Sequence, residues 1–322
     1  MEYRKLGKNG PEISAIGFGA WAIGGKDWGE TDDKASKTAL HAALDNGVNF
    51  IDSADVYGFG HSEDLIRTVL EERGEKNKII VATKAGSDFY DVKDTDYKGS
   101  APVTRNFKKE YLIYAAEQSL KRLNVDALDL LQLHSPAHEV LQTDEPWEAL
   151  ERLKKEGKIK LGGLSVQSFK NSEQAYLLDE YGDLLDALQV RYNLLERDAE
   201  EILLSKAEEK GVGIIVRIPL LFGLLTGKFN RKSKFGEDDH RRINLSREKL
   251  EYYLDELYGL ENLYSDNSEF TKAQISLRFA VNHPAVSTAI PGAKNSGQVL
   301  DNVRAAEIDS INFSKYLKNY SF

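Results

Sequence analysis

Along most of the chain, short apolar runs that end in a polar residue alternate with longer segments whose apolar residues recur at helical spacing. That alternation belongs to a parallel sheet with helical crossovers. A strand covered by helices has no solvent face, so it reads as continuous apolar sequence. The runs are Ile13 to Gly19, Phe50 to Asp52, Ile79 to Lys84, Leu128 to His134, Lys160 to Ser165, Ala187 to Val190, Gly213 to Ile218 and Val286 to Ile290. Between them the spacing predicts a helix from about Asp32, with Ala35, Ala39, Leu40, Ala43 and Leu44 on one face. It predicts others over Ser62 to Glu72, with Ser62 as cap, through Leu112, Ala116, Leu120 and Leu123, and over Trp147 to Glu156. Further helices fall near Glu200 to Lys210, Thr271 to Asn282 and Ser296 to Ala305. Eight such units predict an α/β fold, a (β/α)8 TIM-type barrel, and such a barrel can use residues 1–322 as a single domain.

An open doubly wound sheet would instead carry GxGxxG straight after its first strand. Gly17-Phe18-Gly19 and Gly58-Phe59-Gly60 both lack the third glycine, so neither supports a Rossmann domain. Gly223-Leu224-Leu225-Thr226-Gly227-Lys228 falls one residue short of a P-loop and has Phe229 where the metal-binding Ser or Thr belongs. Composition narrows the chemistry further. The chain has no cysteine, which excludes a disulfide framework, an iron–sulfur cluster and a thiol nucleophile. Its net charge of −9 gives no broad cationic footprint for nucleic acid, so the expected partner is a small molecule. No run of eighteen apolar residues is present and the N-terminus lacks a secretory apolar stretch, so the expectation is a cytoplasmic protein with no membrane partner. Oligomeric state is not legible.

In a barrel of this kind the active site lies at the C-terminal ends of the strands. The polar residues that end the apolar runs are Asp52, Lys84, His134, Ser165, Gln189 and Arg217. Ionisable groups there are costly unless paired, and the fold would bring an acid, a cation and an imidazole into one pocket. His134 and His138 form HxxxH, but the first ends a strand and Ser135-Pro136 follows, so helical zinc geometry is unavailable and no metal is expected.

Around these positions stand Asn49-Phe50-Ile51-Asp52, Tyr57-Gly58, Ser62-Glu63, Ala82-Thr83-Lys84, Leu130-Leu131-Gln132-Leu133-His134, Gly157-Lys158-Ile159, the segment 223–228 and Ile290-Pro291-Gly292-Ala293. In that order, over nearly the whole chain, the series resembles the aldo-keto reductase family. The resemblance implies a barrel with an N-terminal β-hairpin floor and a catalytic set of Asp52, Tyr57, Lys84 and His134, all matched without substitution. It implies hydride transfer between NADP(H) and an aldehyde or ketone, with Tyr57 as general acid in reduction and as base in alcohol oxidation. Lys84 beside the phenol would favour phenolate, Asp52 would fix Lys84, and His134 would aim the carbonyl oxygen.

The same resemblance places the cofactor across the barrel mouth. Gly19, Ala20 and Trp21 would border it, and Ser165 and Gln189 would hold its carboxamide. Pro219, Leu220, Gly223, Leu225, Gly227 and Lys228 would wrap the pyrophosphate, with Arg241 as a second phosphate contact. Gly292 and Lys294 open a helix whose N-terminus suits an anion, with Lys294 toward a 2′-phosphate, and Gln298 and Asn302 would meet the adenosine end. Two positions depart from the family pattern. Val166 stands where asparagine is common. Arg217 replaces the aromatic ring that stacks on nicotinamide, and a guanidinium there either disfavours the oxidised, positively charged ring or contacts phosphate instead. Two other readings of the same resemblance are a cofactor-binding regulatory subunit akin to channel-associated β subunits, and an alcohol or polyol dehydrogenase. Specificity would lie in the loops Asp88 to Phe107 and Phe229 to Asp266, and the tail Phe313 to Phe322 would line the pocket or, the favoured reading, pack on the barrel.

Overall fold

The computed structural model describes residues 1–25, 32–92, 103–167 and 172–318. In chain order its strands are β1 (Tyr3–Lys5), β2 (Glu12–Ser14), β3 (Phe18–Gly19), β4 (Phe50–Asp52), β5 (Ile80–Ala85), β6 (Ser87–Asp88), β7 (Thr104–Arg105), β8 (Leu128–His134), β9 (Ile159–Ser165), β10 (Ala187–Arg191), β11 (Gly213–Arg217) and β12 (Val286–Ala289). Eight of them form one sheet in the order β12-β11-β10-β9-β8-β5-β4-β3, and every neighbouring pair is parallel. The two edges meet. Gly17 N–H donates to the Ala289 carbonyl at 2.8 Å, Ala289 N–H to Ala15 at 2.9 Å and Gly19 N–H to Pro291 at 3.0 Å, which closes a barrel and leaves no open edge. Gly19 is required there, because a Cβ would lie 2.6 Å from the Ile290 carbonyl oxygen.

Two apolar layers follow from the pleat. Phe50, Ala82, Leu130, Leu161, Ala187, Ile215 and Ile290 fill the barrel interior, and Leu6 and Ile13 of the β1–β2 hairpin join them from below. The alternate residues, such as Ile51, Val81, Leu131 and Leu133, face the helices instead. Helices Asp33–Asp45, His61–Arg73, Lys109–Leu123, Glu145–Lys155, Leu203–Lys210, Lys272–Ala280 and Ser296–Val303 surround the sheet. Asp32 caps the first of these by accepting from Lys34 N–H, and Thr271 with Gln274 forms a capping box on another.

Seven of the eight expected strands agree with the structure to within about two residues, and the differences elsewhere have physical reasons. The run Ile13 to Gly19 is two strands, since its first residues pair with β1 in the floor while Phe18–Gly19 pairs with β4 in the barrel. Ser62 does not cap its helix. Gly60 occupies the cap in a left-handed conformation, and the buried Ser62 hydroxyl bonds Ser53 and the Ala20 carbonyl, tying the helix to the barrel. The expected loop Phe229 to Asp266 contains three helices, Arg241–Asn244, Arg247–Tyr258 and Glu261–Ser265. Residues 93–102 of the other expected specificity loop and residues 319–322 of the tail lie outside the described residues. The described part of the tail packs, with Phe313 buried against Phe279.

Candidate active site

Inward-facing positions change character toward the strand C-termini. Phe50 is followed two residues later by Asp52, Ala82 by Lys84, Leu130 by Gln132 and His134, Ala187 by Gln189, and Ile215 by Arg217. The same pleat that packs the core therefore stacks a polar layer above it. Over that layer opens a cavity of about 750 Å³, lined by Asp52, Tyr57, His134, Ser165, Gln189 and Arg217 among others.

Lys84 lies at the floor of this layer and is fully buried. Its ammonium donates to Asp52 Oδ2 at 2.6 Å, to the Ser53 carbonyl at 2.7 Å and to the Tyr57 phenol oxygen at 3.4 Å. Burial works against its charge, but Asp52 and Tyr57 beside it outweigh that, and its pKa is raised. The other Asp52 oxygen accepts from Gln132 Nε2 at 3.0 Å and from Gln189 Nε2 at 2.7 Å. Burial raises the Tyr57 pKa, with Asp52 adding to it and Lys84 opposing, so the expected drift toward phenolate is outweighed before anything binds. His134, whose ring meets Tyr57 edge-on at 6.0 Å, is held well below the usual imidazole range by burial and then by Lys84, Arg105 and Arg217.

The loop that presents Tyr57 is built by the sheet. Ser53 and Asp55 N–H groups continue the ladder onto Ala82 and Lys84 at 2.8 and 3.2 Å, and the chain then turns through Gly58. Gly58 has φ 60° and a Cβ would stand 1.8 Å from the Gly24 carbonyl oxygen, so no other residue fits. Among the described residues, five of the six non-glycine residues with positive φ, namely Phe59, Ser135, Ile218, Leu221 and Phe222, sit in the loops leaving β4, β8 and β11. Such backbone strain concentrates at binding sites.

Further round the mouth, Ser165 Oγ lies 3.2 Å from Ser135 Oγ, and one Arg217 nitrogen donates to the Val166 carbonyl at 3.0 Å. The two departures from the family pattern are therefore joined. Burial, and then Arg191, brings the Arg217 pKa down to about 10. Trp21 stacks on Tyr57 at 6.1 Å and packs against His240 at 4.5 Å. Gly19, Pro219, Leu220, Gly223, Lys228, Arg241, Gly292, Lys294, Gln298 and Asn302 also line the cavity, whereas Ala20, Leu225 and Gly227 do not. Lys228 and Lys294 both have lowered pKa values, from burial first and then from Arg241, and Asp239 clamps Arg241 with an Nε–Oδ1 distance of 2.8 Å. Gln298 turns back to accept the Lys294 N–H at 2.8 Å, while Asn295 caps the helix.

Four neighbours of the site were not read from sequence. Gln132 could have been found, since it lies one pleat below His134 on the same strand face. Asp55 is fully buried and, among the described residues, neither carboxyl oxygen has a hydrogen-bond partner; burial, then Glu63, raises its pKa well above the carboxylate range. Arg105, on the short strand β7, and His240 reach the site from insertions between the barrel units, and no periodic signal marks them. Among the described residues no group of three or more His, Asp or Glu could hold a metal ion.

Comparison with known proteins agrees with this geometry. Residues 15–316 match the model of the Aldo/keto reductase family. The chain is 32% identical over 301 residues to aldo-keto reductase YhdN of Bacillus subtilis, covering 93% of this chain and 87% of that protein. It is 28% identical to a probable voltage-gated potassium channel subunit beta of Arabidopsis thaliana, over 96% of this chain and 92% of the other. Among solved structures, glycerol dehydrogenase AKR11B4 from Gluconobacter oxydans superposes with a TM-score of 0.80 at 32% identity, covering 99% and 97% of the two chains. A closed parallel barrel, a buried acid–lysine–tyrosine chain at its mouth and a family match over nearly its whole length place this chain in the aldo/keto reductase family of oxidoreductases.

Proposed function

We propose that the chain, as a single domain, is an NADP(H)-dependent carbonyl oxidoreductase whose catalytic residues are Asp52, Tyr57, Lys84 and His134. The observation that carries this is the buried contact series Asp52–Lys84–Tyr57 beside a neutral His134. A nicotinamide cofactor, when bound, supplies or accepts the hydride. Tyr57 is protonated at neutral pH and so has a proton to give to a carbonyl oxygen. Lys84, fixed by Asp52 and the Ser53 carbonyl, then stabilises the phenolate left behind. Among the described residues the buried His134 Nδ1 has no partner, and a buried unpaired acceptor costs less than an unpaired donor. The proton therefore sits on Nε2, which can donate to the substrate oxygen.

Lys228, Arg241 and Lys294 crowd like charges into one partly buried place, and a bound phosphate relieves that repulsion. This arrangement fits NADP(H) better than NAD(H), with Lys294 at the 2′-phosphate. Ser165 and the free oxygen of the Gln189 amide fit the carboxamide. Arg217, held against Val166, puts a cation where the nicotinamide ring would lie and favours the reduced cofactor. The test is the loss of reduced-nicotinamide absorbance over a panel of aldehydes, ketones and dicarbonyls, with NADPH and NADH in parallel. Turnover preferring NADPH supports the reading. Tight NADPH binding with no turnover across the panel would favour the reading of a cofactor-binding regulatory subunit, and one relative is named a probable voltage-gated potassium channel subunit beta.

A further inference from the structure

The cavity lining carries six cationic side chains and two acidic ones, Asp52 and Asp301. Most of the cations are accounted for. Lys228, Arg241 and Lys294 gather near β11 and β12, Arg191 pairs with Glu196, and Arg217 bonds the Val166 carbonyl. Arg105 is different. It lies on β7, directly across from Ser87 of β6, at the side of the barrel that continues from β5. In the eight-strand ring β5 stands opposite β11, so Arg105 borders the cavity on the side away from the three phosphate-site cations.

Its guanidinium is held in place. Nη1 donates to Ser87 Oγ at 2.7 Å and to the His134 carbonyl at 3.0 Å, and the Tyr111 phenol anchors the Ser87 carbonyl at 2.8 Å. Both Nη1 hydrogens are thereby used, leaving Nε–H and Nη2 as a fork. Among the described residues no carboxylate pairs with Arg105, although its charge is felt at His134 and it senses Tyr57 and Asp55. Among the described residues Asp55 is the acid whose charge acts on Arg105, and burial, then Glu63, raises its pKa well above the usual carboxylate range.

We propose that Arg105 is a specificity-determining residue that takes a carboxylate on the substrate, so that the preferred carbonyl compounds are aldehydo- or keto-acids. The inference rests on the carbonyl-reductase reading and names the substrate class for that site. A planar carboxylate accepts two parallel hydrogen bonds from a guanidinium fork, and one fixed cation matches one negative charge, whereas a phosphate dianion calls for more than one. Tyr57 and His134 then address the carbonyl at the other end of the same small molecule.

The test compares para-carboxybenzaldehyde with its methyl ester in the wild type, Arg105→Met and Arg105→Lys, with NADPH. The expected result is a fall in kcat/KM for the acid of about 10- to 100-fold in Arg105→Met, carried by KM, as for loss of a charge-assisted hydrogen-bond pair. The ester should change by less than about threefold, and Arg105→Lys should keep part of the preference. Equal losses on acid and ester would overturn the proposal, because they would mean that Arg105 only positions His134. No preference of the wild type for the acid would overturn it as well. Should the wild type reduce neither compound, the reductase reading fails separately. Calorimetric titration of para-carboxybenzaldehyde with and without NADPH then decides: affinity lost in Arg105→Met supports an anion site, and unchanged affinity overturns it.

Discussion

At the residue scale the site depends on which charges burial allows. His134 cannot take up a proton in the range where an exposed histidine would, because burial and three cations oppose it. The pH profile of kcat/KM should therefore show no inflection near 6.5, and an inflection there that vanishes in His134→Gln would contradict the neutral-imidazole role. Arg217 adds a second expectation. Replacing it by Tyr removes a cation from the proposed nicotinamide site, so the preference for NADPH over NADP⁺, measured as a ratio of dissociation constants, should fall; an unchanged ratio would refute the electrostatic role. The places of Asp52, Lys84 and His134 at the barrel mouth were legible because motif and strand end coincide on them, whereas Tyr57, in the loop after β4, was read from the motif alone. Their environment was not: that desolvation outweighs Lys84 at Tyr57 depends on depth, and depth is a property of the closed barrel.

Individual elements are joined by buried polar contacts that periodicity does not report. Glu63, fully buried in helix His61–Arg73, accepts from Thr83 of β5 at 2.6 Å and from Arg122 of helix Lys109–Leu123 at 2.5 Å. Arg122→Met would strand that carboxylate without its cation. It should cost about 3–5 kcal/mol in urea-unfolding stability, and adding Glu63→Gln should recover part of the loss. No loss in the single variant would mean that water takes the place of Arg122. Here the sequence reading worked where one physical demand acted alone. Buried strands are short apolar runs, and seven of them were placed for that reason. It faltered where two demands overlapped, as in Ile13 to Gly19, which serves both floor and barrel wall, and at Ser62, whose hydroxyl is used between elements rather than as a cap.

For the whole molecule, the closed barrel was legible from the count of units, while the helices within 241–265 follow no strand and were not. Burial of histidines also sets how stability depends on pH. His240 and His283 are pushed down to about 4 by burial, and the His283 Nδ1 accepts the Ala285 N–H at 3.1 Å, an interaction that only the unprotonated nitrogen can make. Between about pH 6.5 and 4 the unfolded chain thus binds protons that the fold refuses, so stability falls as pH falls through that window. Tm should drop over that interval, and His283→Gln should flatten the drop; an identical slope would show that His283 takes no part. The same closed architecture gathers the acid, lysine, tyrosine and imidazole at one mouth, and the most direct test of that claim is NADPH oxidation with a reactive aldehyde by the wild type and by Tyr57→Phe, with NADPH affinity measured on both. Turnover lost by several orders of magnitude with affinity unchanged is the predicted result. Turnover that survives Tyr57→Phe would contradict the account, because the proton would then come from elsewhere.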